Sequence, residues 1–237
     1  MTVLAPETRF TMDTSSIKFG PGATREVGAD MARLGARRVM VLTDLRLAAG
    51  ETVATAIDAL RREGIDPVLY ERVRIEPTDA SFMEAAAFAT DGQFDGYVAA
   101  GGGSVMDTAK AANLYATYPA PLLTYVNPPV GEGKPVPGPL RPLIAIPTTA
   151  GTGSETTGVA IFDYEELHAK TGIAHRALRP ALGIIDPDNT RSMPPMVAAC
   201  SALDVLSHAV ESFTALPYHQ RPAPAHPGQR PTYQGAN

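Results

Sequence analysis

Two residues on one helical stretch have the types and spacing to hold a metal. Asp204 and His208 are four apart within Met196 to Ala215, where apolar residues recur at helical spacing. At i and i+4 their side chains stack on one face, about 6 Å apart. A carboxylate and an imidazole so placed can take one divalent cation. The same pair is also an ordinary exposed Asp–His contact, and the pair in isolation does not decide. Glu211, one turn further, either orients His208 or faces water.

Three other stretches carry polar chemistry. Gly101-Gly102-Gly103-Ser104 follows an apolar run and opens a helical one. Glycines there let the backbone approach a diphosphate, and a helix N-terminus offers N–H groups and a positive dipole end. A tight turn without ligand fits equally, because the run is not the GxGxxG fingerprint. Pro147-Thr148-Thr149-Ala150-Gly151-Thr152-Gly153-Ser154-Glu155 concentrates hydroxyls and glycines in one loop, which suits close approach by a polar ligand or a long surface turn. Asp44 ends a strand-like run, where a carboxylate can accept both ribose hydroxyls of an adenosine and would repel a 2′-phosphate; capping a turn is the alternative. Gly131-Glu132-Gly133-Lys134-Pro135 fails as a P-loop, since position 128 is Pro and no Ser or Thr follows Lys134. His168, His175, His219 and His226 read as surface residues, and Cys200 as small core filler.

The elements that must position these residues alternate. Strands are expected over Arg38 to Thr43, Asp66 to Tyr70, Tyr97 to Ala100, Leu143 to Ile146 and Leu182 to Ile185. Helices are expected over Thr52 to Arg62 with Gly64 as terminator, over Thr78 to Thr90 with Thr78 as cap, and over Val105 to Tyr115. Strands separated by helices predict right-handed βαβ units and a Rossmann-like parallel sheet. Pro121 to Pro142 and Leu216 to Pro231 are irregular and rich in proline. The long helix begins at Pro194-Pro195. A domain boundary is expected near 190: an α/β domain over 1–190, then over 191–237 the beginning of a helical domain that cannot bury a core unaided. No internal repeat is present.

Composition narrows the function. Of 237 residues, 44% are hydrophobic and 19% charged, which predicts a packed core. The net charge of −5 leaves no basic face for nucleic acid. One cysteine cannot form an internal disulfide, so a reducing compartment is expected. The apolar runs read as shorter than the roughly 20 residues a membrane span needs. Met1 to Asp13 lacks the pattern of a secretory signal and is poor in arginine, which leaves the cytoplasm as the expected location.

Taken together, GGGSVMDTAK at 101–110, PTTAGTGSE at 147–155 and DVLSHAVESF at 204–213 resemble, in order and spacing, the group III or iron-containing alcohol dehydrogenases. FGPGA at 19–23 resembles that family's N-terminal strand and turn. RIEPTDASFMEA, KAANLYA, TTGVAIFDYE and ESFTALPYHQRPAP are most similar to its hydroxyacid–oxoacid transhydrogenase branch. The resemblance implies an NAD-dependent oxidoreductase that transfers hydride between a hydroxyacid or alcohol and an oxoacid or aldehyde. An ordinary NAD-dependent alcohol dehydrogenase and a catalytically incomplete NAD-binding fragment remain open beside it.

The resemblance also implies residue roles. Asp44 corresponds to the adenosine-ribose acceptor. Gly102, Gly103, Ser104, Val105, Met106 and Asp107 correspond to the diphosphate and nicotinamide-ribose loop. Thr148, Thr149, Thr152 and Thr157 correspond to a second dinucleotide loop, and Lys170 to a cofactor-contacting lysine. Asp204 and His208 correspond to two metal ligands, for Fe²⁺ or sometimes Zn²⁺, a Lewis acid for the substrate hydroxyl. No side chain is required as a nucleophile. Glu76 stands where some relatives carry a cofactor-touching asparagine and is left out of the site. The family's two further histidine ligands have no match here, so the chain is expected to stop before the enzyme is complete. The partners implied are small molecules, with no nucleic acid or membrane, and a homo-oligomer is allowed.

Overall fold

The computed structural model describes residues 6–10, 13–227 and 230. Among these residues eight strands and five α-helices form: β1 Ile17–Phe19, α1 Val27–Arg33, β2 Arg38–Asp44, α2 Glu51–Arg62, β3 Asp66–Val73, α3 Asp79–Gly92, β4 Gly96–Gly101, α4 Gly103–Thr117, β5 Leu143–Pro147, β6 Val159–Tyr164, β7 Ala169–Ala174, β8 Leu182–Ile185 and α5 Pro195–Thr214. Six strands make one parallel sheet in the order β1-β8-β5-β4-β2-β3, and β6 and β7 pair as a separate antiparallel hairpin. This is the Rossmann-like sheet expected from the alternation of apolar runs and helices.

The central strands are buried on both faces, so they read as continuous apolar runs. Alternate residues enter different cores. Val39, Val41, Val98 and Ile144 meet Val27, Met31, Val53 and Leu60 of α1 and α2. Met40, Leu42, Tyr97 and Ala99 meet Ala85, Ala89, Met106 and Ala109 of α3 and α4. Phe162 and Ile173 of the hairpin join Phe82, Leu114 and Tyr125 in a third cluster. Thr78 caps α3 through a box with Ser81, and Gly64 takes a positive φ of 71° directly after α2's last turn.

The order of strands places the site. The chain moves outward from β2 to β3 and then returns to the other side of β2 at β4. Helices α2 and α4, which follow these neighbouring strands, therefore lie on opposite faces of the sheet. The carboxyl ends of β2 and β4, at Asp44 and Gly101, are the switch point of the strand order, the position where open α/β sheets take ligands. Thr43 Oγ1 donates to the Ala100 carbonyl (2.9 Å), and Thr148 N to the Gly101 carbonyl (3.1 Å), so the strand ends there are tied together.

Several elements escaped the sequence reading. Helix α1 and the β6–β7 hairpin were not expected, and β3 runs three residues beyond Tyr70, to Val73. Helix α5 matches the expected span, but none of its residues is buried. Cys200 is accordingly exposed rather than core filler, because no element among the described residues packs over it. Helix α5 is also long and apolar enough, by length and composition alone, to cross a bilayer, contrary to the reading of the apolar runs. Asp204 and His208 near its middle, and Glu211 in its last turn, would be costly in hydrocarbon.

One buried carboxylate clamps the β1 and β8 ends. Asp186 accepts from Gly22 N (3.0 Å), Thr24 N (3.0 Å), Thr24 Oγ1 (2.8 Å) and Asp188 N (3.1 Å). Burial pushes its pKa up, but the hydrogen bonds from Thr24, Gly22 and Asp188 outweigh burial and hold it below the ordinary carboxylate value. Asp186→Ala strands buried donors and is expected to cost about 3 kcal/mol near neutrality. A carboxyl with a lowered folded pKa contributes its full stability above the unfolded value of about 4 and loses it as pH falls through the folded value. Urea midpoints of wild type and variant should therefore converge at low pH; an undiminished gap there would refute the clamp.

Candidate cofactor and metal cleft

Strand β4 ends at Gly101, and Gly102 is the N-cap of α4, with no side chain capping it. The first turn of α4 thus meets the switch point as bare backbone. Val105 and Met106 are 1% exposed and their side chains belong to the core, so only their backbone can meet a ligand. Gly103 is required by close approach: a Cβ there would lie 2.8 Å from Thr152 Cγ2. Through that contact the α4 turn and the second loop touch. Ser104 Oγ accepts from Glu76 N (3.3 Å).

The second loop leaves β5 at Pro147. Thr148 is buried and tied to Gly101, and Thr149 packs against Gly102. Thr152 Oγ1 accepts from Ser154 N (3.2 Å). Gly151 lies against Ser201 of α5, where a Cβ would be 3.1 Å from that of Ser201, so this loop touches the helix that bears Asp204 and His208. His208 Nε2 and Asp204 Oδ1 are 3.9 Å apart, with side chains about half exposed.

These pieces line one cleft of about 510 Å³. Gly103, Ser104, Asp107, Thr152, Thr157 and Lys170 face it together with Asp204 and His208. Asp44 lies apart. It is buried at the end of β2, and Oδ1 accepts from Arg46 N (2.8 Å) and Leu47 N (3.2 Å), the turn-capping role weighed above. Leu47 lines a second cavity of about 490 Å³ with Thr24, Gly50, Glu51 and Asn189, at the same edge of the sheet.

Asp107 is already heavily engaged. Its carboxylate accepts from Ser154 Oγ (2.6 Å) and Ile161 N (3.0 Å) and pairs with Lys110 Nζ (3.4 Å), which makes it a builder of the wall. Glu76, left out of the site, does line the cleft, with φ of 55° and an ion pair to Lys170. That hydrogen bond from Lys170 to Glu76 raises the lysine's pKa and keeps a fixed charge at the mouth. Lys110 was also missed. It is fully buried behind the wall, and burial drives its pKa down against the pull of Asp107. A lysine on a helix whose neighbours are all core residues was the signal for it. His168 sits at the β6–β7 turn, and His175 Nδ1 accepts from Ala177 N (3.1 Å); neither lines this cleft.

The donor chemistry of Asp204 and His208 fits a divalent cation, but two donors do not close a coordination sphere. Among the described residues no group of three or more His, Cys, Asp or Glu is placed to hold a metal ion.

A parallel sheet with a glycine turn at its switch point and a carboxylate–imidazole pair across the cleft defines a Rossmann-like class of protein. The chain belongs to the iron-containing alcohol dehydrogenase family, whose model matches residues 14–187. It is 58% identical over 233 residues to the mitochondrial hydroxyacid-oxoacid transhydrogenase of Xenopus tropicalis, covering 98% of this chain and 50% of that protein. The Homo sapiens protein of the same name is 56% identical, with 96% of this chain and 49% of that protein covered. Among solved structures, sulfoacetaldehyde reductase from Bifidobacterium kashiwanohense in complex with NAD+ superposes with a TM-score of 0.79 at 30% identity, over 87% of this chain and 54% of that one. The chain spans about half the length of the curated relatives it matches.

The relatives' names correct one expectation. They are mitochondrial proteins, which overturns the cytoplasmic reading. That reading rested on cysteine count and the composition of the first residues. Destination is set by address segments read by receptors, and folded-domain composition does not encode it.

Proposed function

We propose that this chain is the dinucleotide-binding part of a hydroxyacid–oxoacid transhydrogenase, with residues 1–190 as the NAD domain and 191–237 opening the helical metal-binding domain. One observation carries the reading: the two loops and the Asp204–His208 pair, distant in sequence, converge on one cleft. When bound, NAD supplies the hydride acceptor and a divalent cation, Fe²⁺ or alternatively Zn²⁺, supplies a Lewis acid for the substrate hydroxyl.

The chain's own residues then have separable tasks. The uncapped α4 turn at Gly102 and Gly103 receives the diphosphate, with Ser104, Val105 and Met106 offering backbone donors. Thr148, Thr149, Thr152 and Thr157 line the second loop, and Lys170 places a cation at the mouth. Asp204 and His208 hold the metal from the facing wall, so that the substrate carbon and the cofactor ring meet in fixed orientation. No side chain needs to form a covalent bond. The substrates are small hydroxyacids and oxoacids.

The reading is tested by cofactor choice. NADH should bind with enhanced fluorescence, and NADPH much more weakly, because Asp44 would face the 2′-phosphate with like charge. Asp44→Asn keeps the acceptor for Arg46 and Leu47 while removing the charge. It should narrow the preference by about 1–3 kcal/mol, the cost of an unpaired polar or charged group. Equal binding of NADH and NADPH by the unaltered protein would remove Asp44 from this role.

A further inference from the structure

We propose that Lys110 is a positioning residue for the cofactor cleft: its ammonium, set behind the wall, locks the second loop and β6 onto α4. The inference rests on the dinucleotide reading above for its functional consequence. Lys110 Nζ contacts Ser154 Oγ at 2.6 Å, the Val159 carbonyl at 2.7 Å, Thr157 Oγ1 at 3.3 Å and Asp107 Oδ1 at 3.4 Å. All four partners line the cleft, while the lysine itself is 0% exposed.

The hydrogen-bond directions are consistent. An ammonium has three protons and no acceptor, so the short contacts to Ser154 and Val159 and the longer one to Thr157 use all three, and Asp107 Oδ1, the most distant at 3.4 Å, is met as an ion pair. Ser154 Oγ therefore accepts from Lys110 and donates its own O–H to Asp107 Oδ1 at 2.6 Å. Asp107 Oδ2 takes the Ile161 amide at 3.0 Å. One turn of α4, from Asp107 to Lys110, thus grips the chain at Ser154, Thr157, Val159 and Ile161. That grip sets the separation between the helix turn at Gly103 and Ser104 and the loop at Thr152 and Thr157.

The core does not call for a lysine here. Ala109, Ala111, Ala112 and Leu114 on either side are fully buried, and an apolar side chain would fill the space without the desolvation cost of an ammonium. What only the ammonium supplies is a simultaneous bond from α4 to a hydroxyl of the second loop and a carbonyl of β6, beside the carboxylate of its own helix turn.

The test uses Lys110→Met, similar in length and unable to donate, in the full chain. NADH affinity should fall at least about tenfold, and amide hydrogen exchange over 154–161 should accelerate, at a temperature where the variant remains folded. Ser154→Ala, which removes the shared hydroxyl and leaves the lysine, should weaken binding and loosen the same amides, and adding it to Lys110→Met should give less than the product of the two effects. A variant that melts earlier but keeps wild-type exchange over 154–161 and wild-type NADH affinity would reduce Lys110 to a stability role and overturn the proposal. Should Lys110→Met not fold, unchanged exchange and affinity in Ser154→Ala would overturn it as well. If the unaltered chain fails to bind NADH, the dinucleotide reading fails, and the exchange measurements still decide whether Lys110 sets the wall.

Discussion

Alanine at Asp204 or at His208 should lower turnover by considerably more than the roughly 10- to 100-fold that substitutions one shell outside a metal cost. The assay requires the chain extended to the length of its relatives, since two donors on one helix give incomplete coordination. The two side chains converge at 3.9 Å on the cleft side of α5, and no third donor among the described residues reaches them. Removing either would leave one candidate donor on that wall. NADH binding should survive in both variants, because the cofactor loops are anchored to the sheet independently of the imidazole and carboxylate. Glu211→Gln is the internal control: Glu211 is exposed on the same helix and does not line the cleft. Metal content measured alongside turnover separates the outcomes. Full turnover with full metal in Asp204→Ala would mean that the ligands lie elsewhere.

The sheet was legible because its strands are buried on both sides. A strand such as β4, GYVAAG, has nowhere to place a charge and therefore appears as an unbroken apolar run. The α3 cap was legible because Thr78 and Ser81 act locally. The β6–β7 hairpin was not, because its pattern is diluted by residues that serve other elements. Asp163 and Lys170 pair across it, and Phe162 and Ile173 belong to a core shared with α3, α4 and the irregular stretch that holds Tyr125, Val126 and Val136. Of the cleft, the glycine run and the DxxxH pair could be picked out by spacing, but spacing left each undecided, and their roles were assigned only through the combined resemblance to a family. Lys110 and Glu76 could not be picked out so, since their roles depend on contacts 44 to 94 residues away in sequence. A single chain records which residues are unusual for their element, but it does not record what they meet.

The extended protein should convert a hydroxyacid plus an oxoacid to products with cofactor supplied only in stoichiometric amount, following ping-pong kinetics. The motivation is the pair of close relatives named for that reaction, at 58% and 56% identity. In a transhydrogenase the dinucleotide is reduced by one acid and reoxidised by the next without leaving. The cleft is suited to retention: Lys170 and Glu76 form an ion pair at its mouth, and α5 rests on the second loop through Gly151 and Ser201. Closure over a bound cofactor makes release slow relative to exchange of small acids. The competing outcome is a dehydrogenase that releases NADH each turn, as an ordinary family member would. Product formation and NADH absorbance are followed together, with a hydroxyacid donor and with the oxoacid present or absent. Product should accumulate only with the oxoacid, while the NADH signal stays at the level of enzyme-bound cofactor. Steady growth of free NADH on adding excess NAD, indifferent to the oxoacid, would leave a plain dehydrogenase. Glu76→Ala sharpens the comparison, since opening the Lys170 pair should raise free NADH release while leaving the first half-reaction intact.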